Sequence, residues 1–330
     1  MCEHRSISIV FEAVCFPAAC ATASSFDREL LHDMGVTLGK ECQAEGVSVL
    51  LGPAVNIKRS TLCGRNFEYL SEDPYLAGEL AASYINGVQS QNVGTSIKHF
   101  AANNQENERM SVSAEVDERT LREIYFPAFE TAVKKAQPWT VMCSYNRLNG
   151  TYASEHKWLL TDVLRNDWGF EGYVMSDWGA VRNRVKGIIA GMDLEMPGSG
   201  GANDRAIIQA VQEESLKEET LDLAVERILN IVYRYAENRR NEEFSREKDH
   251  QKAAEIARQC IVLLKNEAQV LPLSANEKIA LIGGFAEKPR YQGGGSSHIN
   301  SHAVTLCSSV KRSVWKYDLC KRVYHGCGSV

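Results

Sequence analysis

Short, almost wholly apolar runs alternate with longer stretches in which apolar residues recur every three to four positions, from about residue 27 to residue 236. The runs at 47–51, 94–98, 140–144, 172–176 and 192–196 read as strands buried on both faces, and a further candidate lies at 7–14. The stretches at 27–43, 77–89, 118–136, 158–167, 204–214 and 219–237 read as helices. In the third of them Leu121, Ile124, Tyr125 and Ala128 mark one apolar face. Repeated strand–helix units require a parallel sheet with covered faces. With roughly 30–50 residues per unit, a barrel of parallel strands fits this spacing better than a helical bundle.

The pattern breaks at 238–249, where Arg239, Arg240, Glu242, Glu243, Arg246, Glu247 and Lys248 leave almost nothing apolar to bury. A solvated linker is expected there. The predicted organisation is a barrel domain over 1–237, a polar linker over 238–250 and the start of a second α/β domain over 251–330. That second part opens with a helix at 251–260, a strand at 278–283 and a glycine–serine turn at 293–297. A closed barrel has about eight strands, and about 80 residues remain after the linker, too few for a typical α/β domain. The expected fold is therefore α/β: an incomplete (β/α) TIM-like barrel, then the beginning of a second α/β domain, cut at both ends.

A chain of 330 residues with 44% hydrophobic content can bury one large core and part of another. A net charge of −5 offers no basic stripe for nucleic acid or an anionic membrane. No run approaches the roughly 18 apolar residues of a spanning helix. The start, Met1-Cys2-Glu3-His4-Arg5, lacks the basic and apolar regions of a signal peptide, so a cytoplasmic protein is expected. Ten cysteines are scattered without CxxC pairs, a pattern that predicts free thiols and no metal. Cofactors and nucleic-acid or membrane partners are not expected.

The run Tyr173-Val174-Met175-Ser176-Asp177-Trp178-Gly179-Ala180 places a carboxylate where a buried strand emerges into a loop. Catalytic groups of parallel barrels stand at that edge. Other polar groups follow other strands: Lys98-His99, Tyr145-Asn146, and Arg65 with Glu68 in the loop after the first strand. Taken singly, each has a plain structural reading. Lys98-His99 could end a strand in a salt bridge, Arg65 and Glu68 could form a loop ion pair, Tyr145 could cap a core, and Asp177 could cap the next helix. Their joint placement after successive strands points to a polar ligand such as a sugar, with Trp178 available to stack on its apolar face.

Over roughly residues 15 to 300 the chain resembles glycoside hydrolase family 3, the β-glucosidase and β-xylosidase group. The matching blocks are Gly52-Pro53-Ala54-Val55-Asn56-Ile57, Gly64-Arg65-Asn66-Phe67-Glu68, Ser71-Glu72-Asp73-Pro74, Lys98-His99-Phe100-Ala101, Asp117-Glu118-Arg119, Met142-Cys143-Ser144-Tyr145-Asn146, Trp168 through Gly179, and 193–197. Leu263-Leu264-Lys265-Asn266, Leu271-Pro272-Leu273 and 293–300 extend the likeness into the second part. The resemblance implies retaining hydrolysis of terminal β-D-glucosides or related oligosaccharides, with Asp177 as the nucleophile that forms a covalent glycosyl-enzyme intermediate. It also implies that the barrel lacks its first strand and is followed by the start of an α/β sandwich, that Arg65, Lys98, His99 and Tyr145 bind the sugar and orient Asp177, that Trp178 stacks near the entrance, and that Ser296 or Ser297 reaches over from the second part.

Three departures bear on activity. Nothing before Cys15-Phe16-Pro17 matches the family's Asp-Gly-Pro block, the acid/base glutamate of the family comes from a later region, and beyond about residue 301 the resemblance is expected to end. Hydrolysis is therefore expected to be impaired. The other readings are a β-xylosidase or mixed glycosidase, a non-catalytic carbohydrate-binding remnant, and a Schiff-base aldolase using Lys98. Phosphate binding by 293–297 fails because no Lys-Ser/Thr follows the glycines.

Overall fold

Parallel strands pair in chain order, Val49–Leu50 with Gly94–Phe100, then Thr140–Cys143, then Tyr173–Ser176. The coordinates are a computed structural model that describes residues 12–274, 279–282, 284–287, 289–301 and 317–320. Every connection between these strands crosses over through helix, and Gly94–Phe100, Thr140–Cys143 and Tyr173–Ser176 are buried along almost their whole length, whereas Val49–Leu50 is half-buried. This is an arc of a (β/α) barrel, the α/β fold that the alternating pattern predicts.

Helix starts follow capping chemistry. Asp27 accepts hydrogen bonds from the Glu29 and Leu30 N–H groups at 2.8 and 3.1 Å and opens the Arg28–Ala44 helix. Asp73 does the same for Pro74–Gln89, with Pro74 at the first helical position, three residues before the apolar pattern begins. These two helices cross tightly. A Cβ on Gly87 would meet the His32 carbonyl oxygen at 2.2 Å, so only glycine permits this approach.

Three predicted elements differ. The helix expected over 118–136 is interrupted: a wide π-type turn at Leu121–Tyr125 precedes a fresh start at Pro127–Ala136, because Pro127 has no N–H to continue the ladder. The strand expected over 192–196 is only a bridge between Leu194 and Met175. The N–H groups of Asp193 and Leu194 both converge on the Val174 carbonyl, which a regular ladder does not allow. The polar stretch is also more ordered than its composition suggests. Helix Glu218–Asn238 runs up to it, and helix Arg246–Gln259 begins inside it, capped by Ser245.

Residues 7–11 of the candidate strand at 7–14 lie outside the described residues, and 12–14 are not strand. In the second part, Ile279–Ile282 pairs in parallel with Tyr317–Cys320. The main core gathers Leu31, Leu80, Ile97, Phe100, Phe126, Phe129 and Trp168 between the sheet and its helices. The cysteines at 15, 20, 42, 63, 143 and 260 are free thiols. Among the described residues no helix is long and apolar enough to cross a membrane.

Candidate active site

The C-terminal ends of the sheet strands open into a cavity of about 650 Å³. Arg65, Lys98, His99, Tyr145, Asp177 and Trp178 all line it, so the residues singled out from separate strand ends do converge. Arg109, Glu68 and Glu106 add a cation and two carboxylates.

Asp177 is buried, 8% exposed, immediately beyond the Tyr173–Ser176 strand. Its backbone N–H still donates to the Cys143 carbonyl at 3.1 Å, so it is held by the neighbouring strand. Oδ1 accepts the Trp178 N–H at 2.7 Å, whereas buried Oδ2 has no hydrogen-bond partner among the described residues. The loop that follows is pinned from both sides. The Ser176 hydroxyl bonds to Met196 N–H and C=O at 2.8 and 3.2 Å, and the Gly179 N–H donates to the same carbonyl.

His99 Nε2 lies 3.5 Å from Asp177 Oδ2 and 2.8 Å from Arg65 Nη2. A guanidinium has only donors, so Nε2 accepts and the proton of the neutral ring sits on Nδ1. Burial, followed by the charges of Arg65, Lys98 and Arg109, pushes the His99 pKa well below its usual range. The imidazole is thus a neutral spacer between the Arg65 cation and the Asp177 carboxylate.

The cations are not bonded to Asp177. Arg65 Nε donates to Glu68; burial works against the Arg65 cation, but this hydrogen bond and the Glu68 charge outweigh it and raise its pKa. Lys98 Nζ stands 3.6 Å from the other Glu68 oxygen, and burial lowers its pKa against the opposing pull of Glu68. The loop ion pair that Arg65 and Glu68 could have been on structural grounds does exist, but buried and within the cavity wall. Its members are 15% and 13% exposed at their side chains.

Tyr145 donates its hydroxyl to the Trp178 carbonyl at 3.0 Å, and burial, then the Asp177 charge, push its phenol up to about 12. Trp178 is 60% exposed at the mouth, with its indole free of the core. Arg109, which the sequence reading passed over, lies over the Tyr145 ring at 4.6 Å and pairs with Glu106. It sits well past the end of its strand in a loop without periodicity; the only signal was a run of polar residues, Asn103-Asn104-Gln105-Glu106.

From the second part, Gly294, Gly295 and Ser297 close one side of the cavity. Gly293 lies against the Phe67 ring so closely that a Cβ there would stand 2.3 Å from it. The Ser297 hydroxyl is turned to the Gly294 carbonyl at 3.0 Å. The side chain of Ser296 lies outside the described residues. Among the described residues no cluster of three metal-ligating side chains occurs.

A barrel edge that gathers carboxylates, basic groups and an exposed indole around one polar cavity suits a polar ligand with an apolar face, such as a sugar. Residues 2–231 match the glycosyl hydrolase family 3 N-terminal domain and residues 261–320 match the C-terminal domain of the same family, and this chain belongs to that family. The match begins before residue 15 and continues past residue 301, beyond both limits expected from the motif blocks.

The chain is 60% identical over 298 residues to thermostable beta-glucosidase B of Acetivibrio thermocellus, covering 90% of this chain and 40% of that protein. It is 51% identical over 304 residues to an exo-alpha-(1->6)-L-arabinopyranosidase of Bifidobacterium breve, covering 89% and 40%. Beta-glucosidase 3B from Thermotoga neapolitana, solved with alpha-D-glucose, superposes with a TM-score of 0.89 at 44% identity, over 96% of this chain and 46% of that one. The chain therefore spans about two fifths of the curated relatives it matches.

Proposed function

We propose that this chain carries the sugar-binding and nucleophilic part of a retaining glycosidase acting on terminal β-D-glucosides, with Asp177 attacking the anomeric carbon. The observation that carries the reading is the buried Asp177 in the lining of a polar cavity, with its Oδ2 left without a hydrogen-bond partner. An ionised oxygen left unsatisfied is a costly arrangement for structure alone and a useful one for attack. Arg65, Lys98, His99 and Tyr145 then surround the sugar, Trp178 stacks at the mouth, and Ser297, with Ser296 beside it, borders the far side.

The second carboxylic acid of a retaining pair must protonate the leaving oxygen. The other carboxylates lining the cavity are Glu68 and Glu106, each paired with cations. Neither is free to act as that acid, and a site working without one would turn over unactivated glucosides more slowly, by on the order of 10²- to 10⁴-fold. The names of the relatives support a glucoside first and an arabinopyranoside second; a β-xyloside is the remaining glycone of similar shape. Burial lowers the Lys98 pKa, as a Schiff-base lysine needs, but its ammonium stands 3.6 Å from Glu68 and the family match favours the glycosidase reading.

The test uses a 2-fluoro-glucoside with an excellent leaving group, which needs little acid assistance, and intact-mass measurement. One glycosyl adduct on the wild-type chain and none on Asp177→Asn is the expected result. A folded wild-type sample that stays unlabelled would leave the carbohydrate-binding remnant as the better description. An adduct that survives Asp177→Asn would mean that another carboxylate is the nucleophile.

A further inference from the structure

The extended segment from Pro53 to Ile57 runs beside the end of the Gly94–Phe100 strand. Backbone pairs join them as far as Lys98: its N–H donates to the Pro53 carbonyl at 3.0 Å and the Val55 N–H donates to its carbonyl at 2.9 Å. At His99 the ladder changes character. The His99 N–H donates to Asn56 Oδ1 at 2.8 Å, and Asn56 Nδ2 donates to the His99 carbonyl at 2.9 Å. Both residues are buried, at 3% and 1% exposure. The side-chain amide of Asn56 thus presents the donor and acceptor of a peptide unit where no strand supplies one.

We infer that Asn56 is a positioning residue: by clamping both backbone groups of His99 it fixes the imidazole, and with it the Arg65 guanidinium bonded to Nε2, beside Asp177. The inference rests on the reading of Asp177 as nucleophile. His99 is a short side chain, so a shift of its backbone moves Nε2 by a similar distance, and its contacts to Arg65 and Asp177 are 2.8 and 3.5 Å long. A misplacement of about 1 Å at a reacting group can cost on the order of 10²-fold in rate.

The fold provides its own control. Asn149 makes the same double amide bond, its Oδ1 accepting the Val116 N–H at 2.8 Å and its Nδ2 donating to the Val116 carbonyl at 2.8 Å, in an exposed turn outside the cavity. A clamp that only stabilises the fold would behave alike at the two places.

The experiment compares Asn56→Ala and Asn149→Ala in the full chain by three readouts. These are thermal melting, the 15N shifts of the His99 ring, and the saturation kinetics of labelling by the 2-fluoro-glucoside. For Asn56→Ala the maximal labelling rate per folded molecule should fall roughly 10- to 100-fold, with half-saturation changing less than about threefold. The His99 signals should leave the pure Nδ1–H tautomer. Asn149→Ala should lower the melting temperature and leave both other readouts unchanged. The inference is overturned if Asn56→Ala alters only the melting temperature. If Asn56→Ala does not fold, Asn56→Asp decides on the same readouts, because it keeps the acceptor for the His99 N–H and loses the donor to the carbonyl. If the wild-type chain is not labelled, the proposed nucleophile fails, and the His99 shifts alone still decide whether Asn56 fixes the ring.

Discussion

Two aspartates flank the Tyr173–Ser176 strand, and they are treated in opposite ways. Asp193 is 2% exposed and has every need met: Oδ2 accepts from Arg165 Nη2 at 2.6 Å and from the Val174 N–H at 2.7 Å, and Oδ1 accepts from Arg227 Nη1 at 3.0 Å. Asp177, at 8% exposure, has one oxygen bonded and the other facing a neutral imidazole that offers it no proton. Both are buried carboxylates near the same strand, so burial alone does not separate a structural group from a chemical one. The distinction lies in whether the charge is fully spent on the protein. Asp193 rivets two helices and the 192–196 segment to the sheet, whereas the charge of Asp177 is left available to a ligand.

The sharpest way to break this contrast is to neutralise each carboxylate in turn. Asp177→Asn should abolish labelling, a loss above roughly 10³-fold, while stability stays level or rises, because an under-satisfied buried charge is removed. Asp193→Asn should do the reverse. It leaves Arg165 and Arg227 without a counter-charge, costs about 3–5 kcal/mol and lowers the melting temperature by roughly 10 °C, with labelling retained in the folded fraction. If melting falls equally for both variants, the two aspartates do not differ in kind.

A third buried carboxylate carries the comparison to pH. Burial, then the charge of Asp249 on the facing helix, raises the Glu41 pKa to about 8. The folded protein keeps Glu41 protonated over a range in which the unfolded chain ionises near 4.5. Its stabilising contribution is therefore fully present below about pH 4.5 and is lost as pH rises toward 8. Glu41→Gln should flatten that decline and gain on the order of a few kcal/mol at pH 8, read from denaturant melts at pH 5 and pH 8. Equal gains at the two pH values would remove Glu41 as the cause.

The smallest effect has the opposite slope. A hydrogen bond from Lys135, with Arg28 also beside it, lowers the Glu79 pKa despite partial burial. This contribution is present above about pH 4.5 and is lost as pH falls through the lowered folded value. Both cations are half-exposed, so solvent screens the pairs and Glu79→Gln should cost about 1 kcal/mol or less at pH 7, and progressively less as pH falls below about 4.5.

Legibility from sequence followed physical scale. Strands at 94, 140 and 173 were readable because both faces are covered and the apolar run is unbroken. The helix Arg184–Ala190 was not, because seven residues starting Arg184-Val185-Lys186 show too few turns for a period to emerge; only its cap, Asn183, bonding the Lys186 N–H at 2.9 Å, is local chemistry. Pro127 was visible and its meaning missed: apolar spacing carried the helix through a position where the hydrogen bond could not continue. At the site, residues directly after strands were found, since strand ends are close together in any parallel sheet. Arg109 and Asn56 were not. One reaches the cavity from a long loop, and the other acts on backbone groups, which leave no pattern of residue types.

The neutrality of His99 has a consequence for how the cavity responds to its surroundings. Three basic side chains, Arg65, Lys98 and Arg109, stand with three carboxylates, Glu68, Glu106 and Asp177, around a ring that does not titrate near neutrality. Among the described residues the only imidazole in the cavity lining is silent over the pH interval in which histidines usually switch. His99 should therefore add no inflection to glycosylation between pH 6 and 7, and its part of the field that a sugar meets stays constant over that interval.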